Sequence, residues 1–254
     1  VAFNVFEAAY WWDTDDTGHG GPAFNATNDV LFERAMAAHI RSDPPFRGYV
    51  LSGFLLGEGQ NMSVVDSVAV GVQGNNTASG FHWPASANGN EHNLWDFRGN
   101  VAHNNAVSGI FVWQNDGNDH LVEDFVGYHN GRFGVDHGAY ANNYTYDGLM
   151  LFGNGEAGLR SKAASTGREQ QWLNVDTDSI LISDRALSGS TPIVFDGLTL
   201  RGSVVVDESG DGESGRANYE FRNSVTGDGV PLSADVFSLR HQVSTITVDD
   251  DPVR

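Results

Sequence analysis

The chain has no cysteine in 254 residues, so disulfides, thiolate metal sites and a cysteine nucleophile are all excluded. It is almost without lysine: Lys162 stands alone beside 13 arginines, against 33 acidic residues. The formal net charge of −19 excludes nucleic acid as a partner, because phosphate binding needs a basic surface. It also argues against an anionic membrane surface. No run of 18 apolar residues exists, so no membrane-inserted helix is expected. Helix signals are nearly absent as well. The best candidate, residues 28–39, reads better as strand, because its residues fit a recurring pattern. The charge leaves two readings: salt adaptation, with carboxylates keeping the surface solvated, or a need for divalent cations. The proteome-like bias against lysine favours the salt-adapted, halophilic reading.

What the chain does contain is repetition. Ser52-Gly53-Phe54, Ser79-Gly80-Phe81, Ser108-Gly109-Ile110, Phe133-Gly134-Val135 and Ala157-Gly158-Leu159 are copies of one triplet, with Ala8-Ala9-Tyr10 a degenerate sixth. Successive glycines lie 27, 29, 25 and 24 residues apart. Upstream of each lies a second triplet: Val1-Ala2-Phe3, Ala37-Ala38-His39, Val68-Ala69-Val70, Val101-Ala102-His103, Val126-Gly127-Tyr128 and Met150-Leu151-Phe152. A period in the twenties predicts a solenoid of short parallel strands, with equivalent positions stacked about 4.8 Å apart. The expected organisation is long coils over residues 1–168, then shorter terminal coils or a β-rich C-terminal cap over 169–254, ending in a tail at 249–254. The chain opens inside a repeat, without a signal peptide, so its exposed first rung would need a cap, an upstream domain or a partner copy.

Two stretches carry a family resemblance: Gly99-Asn100-Val101-Ala102-His103-Asn104-Asn105 with Ser108-Gly109-Ile110-Phe111-Val112-Trp113, and Phe125-Val126-Gly127-Tyr128-His129-Asn130-Gly131 with Phe133-Gly134-Val135. An Asn-rich turn before Gly and an apolar triplet resembles the right-handed parallel β-helix, or pectate-lyase-like, superfamily. The resemblance implies an all-β, single-stranded, right-handed parallel β-helix with an asparagine ladder through Asn105, Asn130 and Asn154. That superfamily holds lyases, hydrolases, epimerases, tailspikes and adhesins, so fold alone settles no activity.

Stacking the glycine triplets generates columns. The residue after Gly faces the core, and the next faces outward: Trp11, Leu55, His82, Phe111, Asp136 and Arg160. Asp136 and Arg160 are expected to be rung neighbours, and Trp113 and Lys162 leave the same strands. The functional reading is a sugar-binding groove, with Trp11, His82, Phe111 and Trp113 contacting rings and hydroxyls. The structural reading is an ion-pair ladder beneath covering loops. Polygalacturonase-type hydrolases of this fold imply further roles. Arg160 and Lys162 resemble their Arg-x-Lys pair, Asp136-His137-Gly138 their histidine element, and Asp116 and Asp119 their acids. Asp116 and Asp119 are not adjacent, however, and His137 is expected to point inward. A lyase would instead pair calcium carboxylates with Arg132 or Arg160 as base. Asp13, Asp15 and Asp16 read as oxygen ligands for Ca²⁺, or as a solvated acidic loop.

The function expected is an extracellular protein that binds or degrades polysaccharide, as a lyase or glycoside hydrolase if catalytic. The alternative is a surface, spike or filament subunit using the β-helix as a stiff rod. Four N-x-S/T sequons, at Asn25, Asn61, Asn75 and Asn143, fit an extracellular location.

Overall fold

The computed structural model describes residues 1–6, 8–12, 27–41, 51–56, 59–74, 78–83, 96–112, 119–138, 143–162, 169–183, 191–209, 217–242 and 244–254; at Trp11, Trp12, Thr27, Asn28, Gln60 and Asp119 it describes the backbone alone. The described residues form a parallel β-solenoid with no α-helix. None of their elements is a helix long and apolar enough to cross a membrane.

One coil shows the plan. Asp96–Arg98 lies on a first face and Val101–His103 on a second. Ser108–Val112 lies on a third, before the chain passes to Asp119–Glu123 on the first face again. Each strand pairs in parallel with its equivalents one coil before and after. Strands beyond residue 169 continue the same sheets: Gln170–Leu173, Ile193–Asp196, Asn218–Arg222 and Thr245–Val248 extend the first face. The C-terminus is not a free tail. Asp251–Pro252 turns back antiparallel against Thr247 and Val248, and Val253 is buried, with its N–H bonded to Ile246 O.

Residues from the middle of each strand fill the core. On the first face, Val64, Phe97, Val122, Tyr146, Trp172, Phe195 and Phe221 stack rung upon rung, all buried. Tyr146 and Trp172 lie 4.0 Å apart at 10°, and Phe195 and Phe221 4.6 Å apart at 4°. On the third face, Tyr10, Phe54 and Phe81 continue this stacking at 4.7 and 4.8 Å. Offset ring stacks add to the area that the rings bury.

The two recurring triplets have one cause. At the corner between the second and third faces, a third-face Cβ would run into the carbonyl of the next rung's glycine and into side chains of the second face. A Cβ on Gly53 would lie 2.9 Å from Ala69 Cβ, and one on Gly134 would lie 2.6 Å from Gly158 O and 2.9 Å from Leu151 Cδ2. Hence the third face favours glycine, and the facing column is small at Ala37, Ala69, Ala102 and Gly127 before Leu151 takes the position.

The turn before the glycine strand holds Asn4, His39, Gly71, Asn104, His129 and Gly153, all with φ between 52° and 69°. This is the left-handed region, favoured by Gly and Asn. It corrects one sequence reading. The second-face strand of its coil is Met36-Ala37-Ala38, not Ala37-Ala38-His39: Ala38 pairs with Val70, and His39 sits in the turn. His103, as expected, shares its column with Val70 and Tyr128. Beside this turn runs the asparagine ladder. Asn105 Nδ2 donates to Asn130 Oδ1 at 2.9 Å, and Asn130 Nδ2 to Asn154 Oδ1 at 3.0 Å. Their amides also donate to Ala69, Ala102 and Gly127 carbonyls. Buried turn polar groups must find partners somewhere, and the ladder supplies them.

Candidate functional site

The outward column of the third face stands in the register read from the sequence: Trp11 opposite Leu55, Leu55 opposite His82, His82 opposite Phe111, Phe111 opposite Asp136, and Asp136 opposite Arg160. Asp136 and Arg160 form a two-pronged ion pair, with Nε to Oδ1 at 2.7 Å and the second prong at 2.6 Å. The Arg160 guanidinium also lies 4.6 Å from the Phe133 ring centre, whose other guanidinium neighbour, Arg132, lies at 5.0 Å. Arg132 is itself tied to Glu156 at 2.5 and 3.0 Å, and that bond raises its pKa.

This column is not an open groove. His82 is 2% exposed, Phe111 5%, and Asp136 1%, while the Arg160 side chain keeps 15%. His82 packs edge-on against Phe111 at 5.0 Å, and burial lowers its pKa to about 3. His137 points inward, as read from strand alternation. Its Nδ1 lies 2.8 Å from the Tyr146 hydroxyl, between Tyr144 and Trp172. Burial first, and His120 second, lower its pKa to about 3. Both imidazoles are therefore neutral near pH 7 and poor proton carriers there.

Of the polygalacturonase-like elements, Asp136 and Arg160 come together, while His137 lies on the opposite side of the strand. Asp119 opens a first-face strand opposite Asn143. Lys162 is half-buried just past the third-face strand, its N–H bonded to His137 O. Trp113 and Asp116 lie outside the described residues, as do the calcium candidates Asp13, Asp15 and Asp16; of Trp11 only the backbone is described. Among the described residues no group of three or more His, Asp or Glu could hold a metal ion.

A different surface is open to solvent. On the second face the middle residue of each triplet is inward, so the first and third point out. The first column runs Val1, Met36, Val68, Val101, Val126, Met150, and the other Phe3, Ala38, Val70, His103, Tyr128, Phe152. Ala38 alone is buried; Met150 is 48% and Phe152 41% exposed. No Asp, Glu, Lys or Arg occurs in either column. His103, Tyr128 and Phe152 form a ring ladder, at 4.7 Å and 4° and then 5.2 Å and 1°. The next rung ends the stripe in charge: Asp176 pairs with Arg201, and Asp178 accepts a bond from Gly153 N–H.

The sequence carried a signal for this stripe. Every second-face triplet is apolar at both flanks, although only its centre can reach the core. Turns on both sides of this face are short, two residues between Arg98 and Val101 and four between His103 and Ser108. The chain matches no family model, no curated protein and no solved structure.

Proposed function

We propose that the chain recognises an extracellular polysaccharide and does not cleave it. The observation that supports this reading is the second-face stripe, an uncharged apolar and aromatic surface repeating over six successive rungs of a strongly acidic solenoid. A repeating polymer is the ligand suited to a repeating surface, and aliphatic side chains and rings contact the C–H faces of sugars. Of the third-face candidates for a hydrolase or lyase among the described residues, three are committed. Asp136 is buried in its ion pair, and His82 and His137 are buried and neutral. The ladders of Asn105, Asn130 and Asn154 and of stacked rings suit a stiff scaffold, which favours the rod-like surface subunit as second reading.

The test measures retention on a panel of neutral and acidic polysaccharides alongside release of reducing ends and unsaturated uronates, with calcium and then EDTA. The expected result is retention without release. Release that disappears in a folded Asp136→Asn variant overturns the non-cleaving reading. Absence of retention across the panel hands the chain to the rod reading.

A further inference from the structure

We infer that the ligand is an uncharged glycan chain lying lengthwise on the second face, gripped at the Tyr128–Phe152 end; this rests on the polysaccharide reading above. Three observations carry it. The first is charge. The stripe itself has no arginine or lysine to meet a uronate, and Asp178 and the Asp176–Arg201 ion pair bound it, in a chain of net −19. An anionic polymer is repelled here, whereas a neutral one meets no such penalty.

The second is shape. Five rung steps of about 4.8 Å make the stripe roughly 24 Å long, while two outward residues per strand span only about 7 Å across. The two columns hold twelve residues, against the roughly 20–30 a side of a standard protein interface. A second copy of this chain would also bring a second −19 charge. A narrow, long, neutral patch fits one extended polymer strand running across the rungs.

The third is where the rings stand. His103 and Tyr128 are covered face to face by ring neighbours. Phe152 closes that ladder at its exposed end, with His129 edge-on beside it at 6.5 Å. Exposed Met150 lies in the adjoining column. The grip therefore concentrates at this end, where a ladder of three rings adjoins the more exposed of the two methionines; the other exposed ring, Phe3, stands alone with His39 at the far end.

Calorimetric titration tests this with mixed-linkage β-glucan, galactomannan and amylose as uncharged probes, and polygalacturonate and alginate as acidic ones, in low and molar NaCl. At least one uncharged probe is expected to bind, with affinity kept or raised in molar salt. Affinity should grow with oligosaccharide length until the chain spans the stripe. Tyr128→Ala and Phe152→Ser should each weaken binding about tenfold or more, as loss of a ring's buried surface demands. Val230→Ser, at another exposed apolar residue, should leave it unchanged. Phe152→Ser removes a ring outside the core, so its effect is readable even if Tyr128→Ala fails to fold. Binding of acidic probes alone, or binding indifferent to both stripe variants, overturns this inference while the polysaccharide reading stands. Failure of every probe to bind overturns both.

Discussion

Acidification from pH 7 to 5 offers protons to two imidazoles that the fold keeps dry. His82 and His137 are 2% and 0% exposed. Among the described residues, His82 Nδ1 and His137 Nε2 have no hydrogen-bond partner. Burial lowers both pKa values from 6.5 to about 3. Because the folded values lie below the unfolded ones, the unfolded chain takes up the protons first. Stability is thus intact above about pH 6.5 and is lost as the pH falls toward 3. Each histidine costs about 1.4 kcal/mol per pH unit within that window. Integrated from pH 7 to 5, the loss is roughly 2 kcal/mol for each and roughly 4 kcal/mol for both. The assay is urea unfolding at pH 7, 6 and 5 and constant ionic strength, read by tryptophan fluorescence. His82→Phe replaces ring by ring beside Phe111 and removes one titration. Its pH 7-to-5 loss should be smaller than that of the parent by about 2 kcal/mol. Carboxylate titration is common to both proteins and drops out of the difference. An unchanged pH dependence in His82→Phe would refute the claim that this imidazole is charged only at the cost of unfolding.

Two further predictions concern the scaffold. Gly134→Ala forces a Cβ to 2.6 Å from Gly158 O and 2.9 Å from Leu151 Cδ2, so it should destabilise by at least the 1–3 kcal/mol or so typical of overpacking, seen as a lower urea midpoint. Asn130→Ala strips partners from the Asn105 N–H and the Ala102 carbonyl, and should cost about 1–3 kcal/mol for each buried group left unpaired, measured as a fall in Tm.

The register of the solenoid was legible because glycine recurs where a Cβ would crowd the next rung, with Ala9 in its place in the first coil. Counting from Gly53, Gly80, Gly109, Gly134 and Gly158 put Asp136 beside Arg160 without coordinates. The one slipped triplet, at Ala37, has a physical reason: His39 occupies a left-handed turn where Asn or Gly stands in most other coils, so it passed for a strand residue. Burial of His82, Phe111 and Asp136 was one of two readings the sequence allowed, and the pattern could not choose it over an open groove. Alternation says which side of a strand a residue takes, and it is silent about what lies over that side. The second-face stripe was legible in principle, since Val126-Gly127-Tyr128 and Met150-Leu151-Phe152 place apolar groups at both outward positions. Periodicity alone hides it, because an apolar triplet in a β protein reads equally well as core.

The asparagine ladder stops at Asn154 for a structural cause. In the following coil the second and third faces are one unbroken strand, Asp176–Ser183, which pairs with Met150 and Leu151 at one end and with Leu159, Arg160 and Ser161 at the other. The corner that the ladder serves no longer exists there, and Asp178 and Ser179 take up the amides of Gly153 and Gly158 instead. From Asn105 to Asn154 the coils are interchangeable parts: each offers the next an asparagine and a glycine at matched positions, so a unit of the repeat could be duplicated or deleted there with its sockets matched. Past Asn154 they are not, because a new coil would meet an aspartate and a continuous strand. The molecule therefore has one side on which its length is free to change by whole coils, and one on which it is fixed.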